Sequence, residues 1–379
     1  VKNKFSAVIW LINFALILML LTSCEEDKTI KVGFSGQLSG IYSDLGVQGR
    51  NGVQLAIEDM NEAGGIDGRE LVLFAENDKN NVKGAIEADR ALIGRGVATI
   101  IGHMTSSQTL GVLPVIEDAG IPLISPTSST LLLSGKKDNV FRLNSSSSMT
   151  AAVLGRYAAQ SLELRKVGLI YDLNNEAYSM PYTLEFKRTF EEEGGQVLLQ
   201  FPFSSGEDFR WEEVLQDIKE QELDSLFLIA SARDTAFLAQ SFKKEVPDIQ
   251  FLGSGWAFTE DLLTYGGRAV EGLIFADSFF ADLGVERYRI FHHRYVERFG
   301  KIPGFAASQA YESVLLLAEG IRRSRNHEGD LVAALQSVRN IEGLMGTLQF
   351  TEYGDVIRPF YISRVEQGKF RLLGSMGDR

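Results

Sequence analysis

The chain of 379 residues has a single cysteine, Cys24, so no disulfide can close within it. The same scarcity leaves the folded body without a Cys-based zinc site or a thiol nucleophile. Histidine is nearly as rare: His103, His292, His293 and His327 are the full set. His292 and His293 are neighbours between Phe291 and Arg294 in a stretch that reads as a surface helix, where adjacent side chains point in different directions and cannot share a metal. His103 has no cysteine or second histidine at metal-ligand spacing. The sequence also lacks a Gly-x-Ser-x-Gly elbow, a Walker loop and a Gly-x-Gly-x-x-Gly turn after a strand. It has no basic run, and its formal charge is −12, which argues against nucleic acid or an anionic lipid surface as partner. These absences point away from an enzyme, and no cofactor or metal is expected.

What is present begins with a secretory pattern. Lys2 and Lys4 precede an apolar run from about Phe5 to Leu21, then Leu21-Thr22-Ser23-Cys24. A transmembrane anchor needs about 20 apolar residues; this run is shorter and is broken by Asn13. Its end resembles the lipobox of bacterial lipoproteins, which implies cleavage after residue 23, a lipid on Cys24, and a tether over 24–29. The chain beyond the tether is long enough for two lobes with separate cores.

Short apolar runs rich in β-branched residues alternate with longer amphipathic stretches. Ile30–Phe34, Leu71–Ala75, Ala98–Ile101 and Leu123–Ile124 read as strands. Val47–Asn61, Ala85–Ile93 and Thr109–Asp118 read as the helices between them. Near-continuous apolar strands of this kind belong in a parallel sheet covered on both faces. The rhythm restarts after Asn144-Ser145-Ser146-Ser147-Ser148, a run read as hinge strand plus helix cap. Strands come at Lys166–Tyr171, Val197–Phe201, Ser225–Ile229 and Ile249–Leu252, with helices at Tyr182–Glu193, Phe209–Glu220 and Thr235–Lys244. Helices at Arg287–Phe299, Ala306–Arg323 and Leu331–Val338 come next, then short strands at Leu348–Phe350, Ile357–Ser363 and Phe370–Leu373.

Several collinear segments together carry a resemblance. Ile30-Lys31-Val32-Gly33-Phe34 with Leu38-Ser39-Gly40 resembles the opening of the periplasmic binding proteins for branched-chain amino acids. Asn61 to Arg69, Ile100 to Ser107, Ala119 to Pro126, Gly266 to Gly272 and Pro303 to Tyr311 continue it, so it spans Ile30 to about Leu373. The resemblance implies a type I periplasmic binding protein: an α/β fold of two doubly wound parallel-sheet lobes joined by a three-crossing hinge. It puts 30–143 and 279–347 in the first lobe, and 144–278 and 348–379 in the second.

In such sheets ligands sit beyond the carboxyl ends of the strands, where helix N-termini converge. Ser106 and Ser107 open a helix after one strand, and Thr127, Ser128 and Ser129 come after the next. Their hydroxyls and free N–H groups can receive a carboxylate, although each cluster alone would also serve as ordinary helix capping. The resemblance favours Ser106, Thr127 and Ser129 for that role, and matches Tyr178 to a cleft tyrosine. Tyr178 and Trp256 could form an apolar wall, with core packing the competing role for Trp256. Arg233 could grip a second carboxylate or face solvent at a helix start capped by Ser231 and Asp234.

The pattern departs from the branched-chain binders at two places. They carry an acid for the ligand ammonium where this chain has Gly255, and an aromatic where it has Leu45. Glu260 and Asp261 read as helix residues. Either Asp172, Glu176 or Asp234 takes over the ammonium, or the ligand has none. The ligand is therefore expected to be a small carboxylate, an amino acid or one without the amine. The resemblance further implies a protein outside the cytoplasm that presents its closed form to an ABC transporter permease; a sensory receptor of the same fold is the rival.

Overall fold

The computed structural model describes residues 29–40, 42–207, 211–281 and 283–376. The secretory stretch and Cys24 lie outside the described residues.

The first half reads β1 (Thr29–Gly36), α1 (Asp44–Glu62), β2 (Glu70–Asn77), α2 (Val82–Gly94), β3 (Thr99–Ile101), α3 (Ser106–Ala119), β4 (Leu123–Ser125) and β5 (Val140–Arg142). Its strands form one parallel sheet in the order β2-β1-β3-β4-β5. The second half reads α4 (Ser147–Gln160), β6 (Lys166–Asp172), α5 (Glu176–Glu192), β7 (Gln196–Phe203), α6 (Trp211–Glu220), β8 (Ser225–Ile229), α7 (Ala232–Lys243), β9 (Gln250–Gly253), α8 (Glu260–Gly266) and β10 (Ile274–Asp277). Its parallel strands lie in the order β7-β6-β8-β9-β10, the same winding as the first sheet. The strand order reverses at β1/β3 and again at β6/β8, and each reversal opens a crevice at the strands' carboxyl ends.

The chain then returns to the first sheet with α9 (Glu286–Phe299), α10 (Phe305–Ser324) and α11 (Leu331–Gln336). α10 packs along α1 at very close range, because Gly52 has no side chain. A Cβ there would lie 2.1 Å from the Ala307 carbonyl oxygen. Three short strands come next, β11 (Asn340–Glu342), β12 (Thr347–Phe350) and β13 (Val356–Ile357), paired into a small sheet of their own. Finally β14 (Phe360–Glu366) and β15 (Lys369–Met376) add antiparallel strands to the second sheet beyond β10.

Two sequence readings shift here. The strand at 347–350, assigned from residue 348 to the second lobe, pairs with β11, and the Gly354 carbonyl accepts the Arg142 N–H of β5. The passage to the second sheet therefore falls at 358–359, between β13 and β14. Local pattern gives a strand but not its partner, so three similar short strands looked like one group. The helix expected from Tyr182 starts at Glu176, ahead of Pro181, and so takes in Tyr178.

Apolar faces cover both sheets, as a parallel sheet requires. Leu92, Ile100, Val112, Ile116 and Leu123 fill the space between α2, α3 and the first sheet. Leu154, Leu169, Tyr182, Phe186 and Phe227 do the same between α4, α5 and the second.

Candidate functional site

The carboxyl ends of the two sheets face each other across a cleft made of two adjoining chambers. Leu45, Met104, Thr105 and Trp256 line both and form the partition. The inner chamber is completed by Ser106, Thr127, Ser129, Asn144, Ser145, Thr150, Asn175, Tyr178, Gly255, Asp277 and Phe305. Elements of both lobes and of the first crossing contribute, so a molecule held there would touch all three.

On the first lobe the offering is hydroxylic. Ser106 opens α3, and Thr127 and Ser129 lie in the loop after β4. The Thr127 hydroxyl donates to the Met104 carbonyl at 2.7 Å, which ties one loop to the other. The Ser106 and Ser129 hydroxyls have no protein partner among the described residues and stay available to a ligand. Ser145, at the first crossing, is buried with its hydroxyl equally unpaired. The second lobe offers an aromatic wall: Tyr178 and Trp256 meet edge to face with ring centroids 5.9 Å apart. Tyr178 reaches the chamber because α5 starts early and puts it in the first turn.

Three sequence candidates sit elsewhere. Ser107 accepts the Ala177 N–H on its hydroxyl at 3.3 Å and gives its own N–H to Asn175 Oδ1 at 3.2 Å, so it joins the lobes instead of lining the chamber. Ser128 turns beneath its loop, 2.7 Å from the Thr109 hydroxyl. Arg233 stands outside both chambers, 3.4 Å from Asp261, 4.2 Å over the Tyr265 ring, and bonded to the Tyr265 hydroxyl. In each case the side chain is engaged by other partners of the fold.

The outer chamber is acidic. Asp44, Asp78 and Asp172 line it with Gln37, Tyr42, Asn80, Ser205 and Ser231, and no lysine or arginine among the described residues does. Asp44 meets Thr259 across the cleft at 3.3 Å, and burial raises its pKa to about 6. Asp172 is also raised by burial, although Asn174 and Ser205 donate to it. Asp234 takes bonds from Tyr42, Ser205 and Ser231, the first of them spanning the two lobes at 3.2 Å. With Ser107–Asn175 and Asp44–Thr259, these contacts put the lobes in a closed arrangement.

Beneath the first-lobe loops His103 is fully buried between Asp78 at 3.0 Å and Asp89 at 3.1 Å. Burial alone would lower its pKa, but the two carboxylates outweigh that and raise it to about 10. Its carbonyl accepts the Ser125 hydroxyl at 2.9 Å, so this charged cluster anchors the loops that carry Ser106 and Ser129.

The sequence reading missed Asn144, Ser145 and Asp277. Asn144 donates to the Thr127 carbonyl at 3.1 Å and accepts from Ser278 at 2.9 Å, linking two crossings. Asp277 ends the buried run Ile274-Phe275-Ala276, and the rule that ligands lie beyond parallel strands could have flagged it. Among the described residues, no group of three or more histidine, cysteine or acidic side chains is placed to hold a metal.

The fold has counterparts among known proteins. The chain is 23% identical to the leucine-, isoleucine-, valine-, threonine- and alanine-binding protein of Pseudomonas aeruginosa, over 86% of this chain and 87% of that protein. A branched-chain amino acid transporter substrate-binding protein of Streptococcus pneumoniae, solved with isoleucine, superposes with a TM-score of 0.82 at 22% identity, covering 92% of this chain and 98% of that one. An R. palustris solute-binding protein solved with benzoate gives the same TM-score at 20% identity, covering 92% and 96%. The model of the periplasmic binding protein family matches residues 29–369, and the chain belongs to that family.

Proposed function

We propose that this protein captures a small carboxylate, in first place an amino acid, between its lobes outside the cytoplasm and delivers it to an ABC transporter permease. The observation that carries the reading is the inner chamber itself. Unpaired hydroxyls of Ser106 and Ser129 lie on one side, and the aromatic wall of Tyr178 and Trp256 on the other. Hydroxyls at the start of a helix suit a carboxylate, and aromatic faces suit the apolar body behind it. A ligand touching both lobes stabilises the closed form, which becomes the message read at the membrane. Nothing in this arrangement requires bond breaking, and binding without turnover is the activity expected. The benzoate complex of a structural neighbour supports a second reading, a carboxylate without an amine, for which the same wall would serve.

Cys24 would carry the lipid that keeps the protein at the membrane surface; an acylated N-terminal peptide in mass spectra of membrane-extracted protein is the check.

The functional test is a thermal-unfolding titration of protein stripped of carried ligand by unfolding and refolding. Amino acids and matching amine-free carboxylates, benzoate included, form the panel. A true ligand at 100 times its dissociation constant adds about 2.7 kcal/mol of stability, a clear shift in midpoint. No shift with any member would overturn the reading, and chemical turnover of a bound member would return the protein to the enzymes.

A further inference from the structure

We infer that Asp277 holds the ammonium group of the ligand, taking over from β10 the task that the branched-chain binders give to an acid at the position of Gly255. The inference rests on the proposed function and narrows it to α-amino acids.

Gly255 and Asp277 compete for one volume. A Cβ built at residue 255 would lie 1.9 Å from Asp277 Oδ2, far inside contact distance. The glycine is therefore more than a lost charge: it opens the space into which a different carboxylate reaches. Asp277 is held there by its own backbone, with Oδ1 accepting the Phe279 N–H at 2.9 Å. The residue is only 7% exposed, and it lines the inner chamber beside Asn144, Tyr178 and Gly255.

No lysine or arginine among the described residues lines that chamber. The cation that acts on Asp277 from outside it, Arg358, is bound to Glu312 and to the Leu143 carbonyl. A carboxylate buried without a counterion is costly, and burial raises the pKa of this one to about 7. A ligand ammonium supplies the missing cation. An α-amino acid then spans the chamber, with its carboxylate at the hydroxyls of the first lobe and its ammonium at Asp277. A carboxylate lacking the amine would instead bring a second negative charge into the same desolvated space.

The other acids are committed elsewhere. Asp172 lines the outer chamber and takes bonds from Asn174 and Ser205. Asp234 is engaged by Tyr42, Ser205 and Ser231. Glu176 is exposed and lines neither chamber.

The experiment is calorimetric titration of the refolded full chain and two variants. The ligands are leucine, isoleucine, valine, threonine, alanine and phenylalanine, each beside its amine-free counterpart. Asp277→Asn keeps the Oδ1 acceptor for Phe279 and removes the charge. It should weaken amino acid binding by roughly 100-fold, the worth of a charged hydrogen bond in a buried site, while amine-free counterparts bind as well as before or better. The double variant Gly255→Glu with Asp277→Ala returns the acid to the neighbouring position and should recover much of the loss. Amino acid affinity within about threefold of the parent in Asp277→Asn would overturn the assignment. Binding of amine-free carboxylates alone by the parent protein would also overturn it, while leaving carboxylate capture standing. No binding of either class would remove the proposed function and this inference with it.

Discussion

Replacing His103 with leucine should lower the stability by about 3–5 kcal/mol, the usual cost of stripping a buried charge of its partner. Asp78 and Asp89 both lose their cation, and both are buried where water cannot replace it. Against a total of about 5–15 kcal/mol for a folded domain, that is a large fraction. The pH dependence has a definite sign. His103 binds its proton more tightly in the folded state, at about 10 against the ordinary 6.5. Its contribution is therefore complete below 6.5 and fades as pH rises through 10. Urea midpoints at pH 6 and pH 10 should differ more for the parent than for His103→Leu. A variant within 1 kcal/mol of the parent at pH 6 would show that the cluster is not an ion triad. The variant keeps the His103 carbonyl that accepts Ser125 but loses the side-chain anchors to Asp78 and Asp89 beneath that loop, so it should also bind ligand less tightly even where it remains folded.

Arg358→Met should cost a similar 3–5 kcal/mol, for the same reason at a different place. Arg358 sits at the third crossing, buried, paired with the buried Glu312 and donating to the Leu143 carbonyl at 2.8 Å on the first crossing. Glu312 in turn accepts the Leu344 N–H at 2.8 Å. Removing the arginine leaves a carboxylate with no countercharge and unties two crossings from each other. Adding Glu312→Gln should recover a good part of the loss, since a neutral amide keeps an acceptor for Leu344 and needs no cation. Chemical denaturation of both variants reads this directly. A single variant as stable as the parent, or a double variant no better than the single, would contradict it.

The inner strands were legible because they are short apolar runs buried on both faces, and the helices because each keeps one apolar stripe. The run Ser225–Ile229 forms β8 without a residue's shift. Boundaries failed where packing extends an element beyond its local pattern: α5 starts at Glu176, ahead of Pro181, and Ser179 in its first turn donates to the Asp172 carbonyl at 2.7 Å. Pairing was not legible at all for β12, because the choice between β11 and β14 depends on residues distant in sequence. The same division runs through the site. Ser106, Thr127 and Ser129 could be found from hydroxyls after strands, whereas Ser107 and Ser128 differ from them only in the direction of the side chain. Asp277 was hidden because its partner in space, Gly255, is far away in the chain and signals by having no side chain.

Occupation of the cleft between the lobes is the central claim, and Trp256 reports on it. The chain has three tryptophans, Trp10, Trp211 and Trp256. A variant with Trp10→Phe and Trp211→Phe therefore leaves the one in the partition between the chambers as the only tryptophan, excited selectively at the red edge where tyrosine does not absorb. Titration with the ligand found by thermal unfolding should change the intensity or wavelength of Trp256 emission, with the midpoint seen in calorimetry. Adding Ser129→Ala should move that midpoint to higher concentration. A ligand that stabilises the protein while Trp256 emission stays flat would place binding outside the cleft and contradict the claim.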